Sequence, residues 1–158
     1  MDLLYAARAL ILLIGANSVP WMLGRVLGKQ WNAPLDFGLA LPDGRRLLGS
    51  HKTWRGLVGG SLTCAAAAAL CGLDWRLGAE FGLLSVLGDS LSSALKRRLD
   101  LAPGREMPLM DQLPEALLPL IVLRGPLGLS SASIIATTAV FVVLDILSTG
   151  ARRNSPAH

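Results

Sequence analysis

LGAEFGLLSVLGDSLSSALKRR, Leu77 to Arg98, is the stretch on which the fold turns. From Leu77 to Leu95 it is close to the ~20 residues needed to cross a bilayer, with only Glu80 and Asp89 charged. It then ends in three cations, Lys96, Arg97 and Arg98. At helical spacing Gly78, Gly82, Ser85, Asp89, Ser92, Ser93 and Lys96 fall on one side, and Leu83, Leu84, Leu87 and Leu91 occupy much of the rest. Leucines toward lipid and a small, polar strip toward a bundle interior is the pattern of a membrane helix that lines something. A carboxylate on that strip is costly unless paired or metal-bound; Lys96, two turns on, and Asn17 are its available partners.

The rest of the chain agrees. Ala9 to Gly24, Gly56 to Leu73 and Leu127 to Leu144 carry no charge. Hydrophobic residues make up 52% and charged residues 16% of the 158, against about 25% charged in a soluble domain, so too little polar surface exists to cover these runs. The reading is an all-α integral membrane protein with about five transmembrane helices, near 3–27, 56–73, 77–97, 112–124 and 127–149. It forms a single domain, 1–150, followed by a polar tail, 151–158, expected to be disordered. The first run lacks a basic start and a cleavage site, and reads as a retained helix instead of a signal peptide. Cys64 and Cys71 lie seven apart within one run and read as packing residues with no disulfide.

Charge is distributed by loop. Lys29, Arg45, Arg46, Lys52 and Arg55 follow the first run; Lys96, Arg97, Arg98 and Arg105 follow the third; Arg152 and Arg153 lie in the tail. The other two loops hold only Arg76 and Arg124. This alternation places the N-terminus outside and both basic loops in the cytoplasm of a multi-pass cell-membrane protein.

Several residues are candidates for chemistry. Asn17 and Pro20 within the first run are either a satisfied kink or the polar wall of a cavity. Lys52, Trp54 and Arg55 at the start of the second helix are either interfacial anchors or an anion site. Pro114 and Glu115 suit the first turn of a helix that, from Pro114 to Arg124, reaches only ~16 Å. That helix either begins earlier, near Met107, or has a recessed cytoplasmic end; both options put Asp111 at or below the headgroups. No spacing suggests a zinc site, a nucleotide-binding glycine loop or a nucleic-acid surface.

SHKTWRGLVGG (50–60), GDSLSSALKRR (88–98) and PLMDQ (108–112), in that order, resemble the CDP-archaeol synthase branch of the CDP-diacylglycerol synthase family. The resemblance runs from Asp43 to Gln112. It implies a multi-span membrane cytidylyltransferase that joins CTP to a phosphatidate-like lipid, releases pyrophosphate and needs Mg²⁺, often with K⁺. By position it implies that Asp89 and Asp111 hold the metal and that Lys96 and Arg97 contact phosphate. Ser50, Lys52, Thr53, Arg55, Gly56, Ser93 and Gln112 would bind substrate. Where the family carries a further acidic residue, this chain has Pro114 with Glu115 beside it, so Glu115 is the expected third metal ligand, with Asp145 as the alternative substitute. The partners expected are CTP, the lipid and the bilayer, without nucleic acid; a homodimer is compatible. Two other classes remain open: a non-catalytic relative that binds anionic lipid, and a small transporter built on the polar strip.

Overall fold

The computed structural model describes residues 3–42, 44, 46–48, 51–101, 107 and 109–154, the side chains of 151–154 excepted. It is a bundle of five helices: α1 (Leu3–Leu27), α2 (Trp54–Leu70), α3 (Trp75–Arg98), α4 (Gln112–Val122) and α5 (Ser131–Asn154). α3 packs against α1, α2 and α4, while α5 closes the bundle against α1 and α4.

Helix ends are specified locally. Thr53 takes the N-cap of α2 in extended conformation and accepts the Gly56 amide, so α2 starts at Trp54. Asp74 does the same for α3 through the Arg76 amide at 2.9 Å. At the C-termini Gly72 (φ 72°) follows α2 and Asp100 (φ 60°) follows α3. The Leu73 and Leu101 amides reach back to the Ala68 and Lys96 carbonyls at 2.8 and 3.1 Å. Lys96, Arg97 and Arg98 in the last turn of α3 also complement the negative end of its dipole.

The core is small and apolar: Leu12 and Leu13 of α1, Cys64 and Ala68 of α2, Phe81 of α3, Leu120 of α4 and Phe141 of α5. Glycine sets how close the helices come. A methyl group at Gly78 would stand 2.2 Å from the Cys64 carbonyl oxygen, and one at Gly88 would stand 2.1 Å from that of Pro114. α3 therefore meets α2 and the first turn of α4 backbone to backbone, as small residues allow in lipid. Cys64 and Cys71 are both free, and Cys64 packs in the core with its thiol toward the Leu12 carbonyl.

The outer surface is apolar. Leu83, Leu87, Leu91 and Leu95 form an exposed stripe along α3, and Val58, Leu62, Ile135, Val143 and Leu147 continue it on α2 and α5. The strip expected on the opposite side of α3 is inward: Gly78, Gly82, Ser85, Ser92, Ser93 and Lys96 are buried. α1 (mean hydropathy 1.6) and Ser131–Gly150 of α5 (1.9) are long and apolar enough to cross a membrane.

Several boundaries differ from the sequence reading: α2 ends at Leu70 and not 73, α3 begins at Trp75 and not 77, and α5 begins at Ser131 and not 127. α2 begins two residues earlier because Thr53 caps it. α4 begins at Gln112, where the 112–124 reading put it, so of the two options for its start the one near Met107 is excluded. α5 continues past 149 to Asn154 through the basic residues of the tail; residues 155–158 of that tail lie outside the described residues.

The segment between α1 and α2 folds on Asp36. Its side chain is fully shielded and accepts from the Gly38 amide (3.0 Å), the Leu48 amide (3.1 Å) and the Arg46 guanidinium (3.0 Å). Burial alone would raise its pKa, but these donors hold the carboxyl below its ordinary value. Backbone bonds from Leu35 to Lys52 (2.8 Å) and from Trp54 to Ala33 (3.0 Å) then fix the segment against the start of α2. Lys52 thus has a defined position.

Candidate active site

Asp89 sits midway along α3 on the inward strip, and the residue that reaches it is Lys52, from the segment before α2, in an ion pair. The sequence offered Lys96 or Asn17 as its partner. Lys96 instead pairs with Asp111 at 2.6 Å, and Asn17 serves two other carboxylates. The difference has a geometric cause: Lys96 lies two turns along the helix from Asp89, whereas Asp111 is brought beside it by the return of the chain into α4.

Asp111 stands at the N-cap of α4, yet its side chain does not cap that helix. One oxygen accepts the Met107 amide at 3.1 Å; the other accepts the Ser92 hydroxyl at 3.3 Å and carries the Lys96 pair. The Asp111 amide returns to the Met107 carbonyl at 3.2 Å, so the turn is closed on both sides. The carboxylate is turned away from its own helix and onto α3.

Asp89, Asp111, Lys52 and Lys96 line one cavity of about 450 Å³. Its inner wall adds Asn17 and Pro20 from α1, Gln112 and Glu115 from α4, and Asp145 from α5. The two hydrogens of the Asn17 amide go to Glu115 and to Asp145, each at 3.3 Å, and Gln112 donates to the other Asp145 oxygen at 2.9 Å. Glu115 lies within electrostatic reach of Asp89, Lys52 and Asp145. A second cavity of about 790 Å³ shares Asn17, Pro20, Trp21 and Lys52 with the first; Arg25, His51 and Arg55 contribute to its wall.

The sequence-selected residues divide accordingly. Lys52, Asp89, Lys96, Asp111, Gln112 and Glu115 converge on the carboxylate cavity. Thr53 and Arg55 face the second cavity. Thr53 also caps α2, and Arg55 donates to the Gly28 and Gln30 carbonyls at 2.8 and 2.6 Å, tying the end of α1 to the start of α2. Gly56 packs on the Pro20 ring, where a side chain would not fit comfortably. Ser93 donates to the Asp89 backbone carbonyl at 3.0 Å, and Arg97 is buried away from the cavity wall. Ser50 lies outside the described residues.

Asp36 was not singled out from sequence; its signal is the Asp-x-Gly spacing of Asp36 and Gly38, which favours a side-chain turn. Asp145, which sequence alone offered only as a substitute ligand, is on the cavity wall.

For a divalent metal the donor chemistry is right, since Mg²⁺ prefers hard carboxylate oxygens. Among the described residues no three His, Cys, Asp or Glu side chains gather about one point. That arrangement suits an ion held by one or two carboxylates and completed by substrate phosphates, which is how Mg²⁺ is commonly bound, and not a closed protein cage. Asp89 and Asp111 fit such a site; Glu115 is engaged by Asn17.

The structure is thus a helical bundle whose apolar exterior surrounds a cavity lined by paired acids and lysines. The model of the CarS-like CDP-archaeol synthase family matches residues 2–80 and 74–151, and the chain belongs to that family. A CDP-archaeol synthase of Thermofilum pendens is 38% identical over 103 residues, 62% of this chain and 50% of the relative. One of Aeropyrum pernix is 39% identical over 115 residues, 67% and 63% of the two chains. The chain thus spans between half and two thirds of the length of these curated relatives. A solved structure described as an intramembrane enzyme for archaeal membrane lipid biosynthesis superposes with a TM-score of 0.71. It is 31% identical and is covered to 91% by 88% of this chain. The chain is accordingly a helical membrane protein.

Proposed function

We propose that this protein is a membrane cytidylyltransferase in phospholipid biosynthesis that converts CTP and a phosphatidate-like lipid into a CDP-lipid and pyrophosphate. The observation that carries the reading is the pair of ion pairs, Lys52–Asp89 and Lys96–Asp111, facing one cavity. The names of the similar proteins support it.

The chemistry asks for little beyond what these side chains offer. An oxygen of the lipid phosphate attacks the α-phosphorus of CTP. A new P–O–P bond forms, the bond to the β-phosphate bridging oxygen breaks, and the electron pair leaves with pyrophosphate. The nucleophile is already an anion, so no Ser, Cys or His nucleophile is needed. Lys52 and Lys96 are placed to bind phosphate oxygens, and a triphosphate that takes them releases Asp89 and Asp111 from their ion pairs. Mg²⁺, held by those two carboxylates and the nucleotide, would neutralise charge on the leaving pyrophosphate; a K⁺ requirement belongs to the same proposal. Gln112 and Glu115 shape the inner wall, while Thr53, Arg55 and Gly56 hold the loop that carries Lys52. Phosphate contact by Arg97, which lies off the cavity wall, and substrate contact by Ser93 and Ser50 rest on the family resemblance alone and belong to the same proposal.

In the membrane we assign five spans, the N-terminus outside and the cavity on the cytoplasmic side, from the alternation of basic loops. The short α4 then sits recessed beside α3.

The test is pyrophosphate release from CTP by the detergent-purified protein, with Mg²⁺ and a panel of lipid phosphates. Activity that disappears in Asp89→Ala and Asp111→Ala is expected. No product with any lipid, or full activity in those variants, overturns the reading; lipid binding without Mg–CTP binding would return the protein to the non-catalytic class. Sizing in detergent measures whether a homodimer forms.

A further inference from the structure

Leu109 has φ 70°, in the left-handed region that a leucine does not adopt without support. The support comes from another helix. Leu109 donates its amide to Gln112 Oε1 at 2.6 Å. Gln112 is buried, and its orientation is fixed from the other end, because Nε2 donates to Asp145 Oδ2 at 2.9 Å. Asp145 itself is held at Oδ1 by Asn17. An amide whose NH₂ is anchored has its oxygen aimed in one direction, and here that direction is the Leu109 amide. The Leu109 carbonyl then accepts from Leu113 at 2.9 Å, and Asp111 lies between these two bonds.

We propose that Asp145 is a positioning residue: through Gln112 it holds Leu109 left-handed and so keeps the Asp111 carboxylate turned onto α3. This rests on the reading of Asp111 as a phosphate- and metal-handling residue. It assigns to α5, which contributes no member of either ion pair, the task of setting the turn from which α4 starts. It also separates Asp145 from the ligands. Both of its oxygens are occupied by amide donors, one from α1 and one from α4.

The arrangement makes a donor–acceptor swap decisive. Asp145→Asn alone sets an NH₂ group against the Gln112 NH₂; Gln112→Glu alone sets a carboxylate against Asp145. When the two substitutions are combined, the side-chain amide introduced on α5 accepts from Asn17 and donates to the carboxylate introduced on α4. The second oxygen of that carboxylate still accepts from the Leu109 amide. In the full-length protein in detergent, each single variant is expected to speed amide exchange across 107–113 about tenfold, the effect of losing one charge-assisted hydrogen bond. Each should also raise the Mg²⁺ concentration for half-maximal activity by a similar factor, with kcat changed less. The double variant should return both to within about threefold of the parent protein. Failure of the swap to rescue, or single variants with unchanged exchange, overturns the proposal; a direct ligand role for Asp145 predicts no rescue. Leu109→Gly supplies a second route, since glycine takes φ 70° unaided and should blunt the effect of Gln112→Glu on exchange. If the parent protein shows no CTP-dependent activity, the functional reading falls, while the exchange measurements still judge the strap.

Discussion

Two aspartates in this chain meet arginine or lysine in opposite ways. Asp36, in the segment between α1 and α2, is fully shielded and accepts from two backbone amides as well as from Arg46. Asp89, on α3, has a side chain 30% exposed in a cavity, with Lys52 as its ion-pair partner. The first arrangement is closed: every donor belongs to the fold, and releasing the carboxylate would unravel the segment. The second is open. Its partner is a flexible lysine that also faces the cavity, so an incoming anion can exchange places with the carboxylate. A saturated acid builds, and a singly paired acid at a cavity is available for chemistry.

The sharpest way to break this contrast is to remove the two acids of the cavity. Asp89→Ala or Asp111→Ala is expected to lower kcat/KM for CTP by about a thousandfold or more. The thermal midpoint should move little in Asp89→Ala and further in Asp111→Ala, whose carboxylate also holds the Met107 amide and the Ser92 hydroxyl, as read by pyrophosphate release and by unfolding in detergent. Lys52→Met should cost roughly a hundredfold in the same assay, with the nucleotide KM affected most. Asp36→Asn should reverse the pattern. It is expected to cost about 1–3 kcal/mol of stability through its lost charge-assisted bonds, while the folded fraction keeps kcat within a few-fold.

The same residue makes the contrast depend on pH. Because the Asp36 pKa is lowered in the folded state, its contribution is fully present above the ordinary carboxylate value of 3.8 and is lost as pH falls through the lower folded value. The stability gap between the parent protein and Asp36→Asn should therefore be constant above about pH 5 and shrink on acidification below that. Thermal unfolding across about pH 3–7 reads it. The smallest effect belongs to Ser92→Ala. It removes one of several contacts to Asp111, and under about threefold in kcat/KM is expected.

What sequence made legible was whatever depends on one segment at a time. Long apolar runs gave four of the five helices, and Pro114 with Glu115 marked the first turn of the short fourth. Helical spacing placed Asp89 with Ser92 and Lys96 on the inward side of α3, and the exposed Leu83, Leu87 and Leu91 confirm the outward side. Pairing was not legible. The Lys52–Asp89 and Asn17–Asp145 contacts join residues 37 and 128 positions apart, and no local pattern in either partner announces the other. Asp36 escaped notice because a buried acid in a loop looks, in sequence, like any solvated one. The end of α5 was set too early because basic residues were taken to end a span, whereas a helix leaving the apolar layer can carry them onward.

The eleven residues of α4 amount to ~16 Å of helix, about half the thickness of a hydrocarbon layer. A segment that short does not partition into lipid as an independent unit. Its place is made by Gly88, which lets α3 lie directly on the Pro114 carbonyl, and by the turn after it, where the Leu129 amide satisfies the Arg124 carbonyl. The half-turn at Asp111 thus comes into being only when neighbouring helices assemble around it. A side chain at Gly88 would therefore bear first on the docking of α4, and through it on the cavity wall that Gln112 and Glu115 supply.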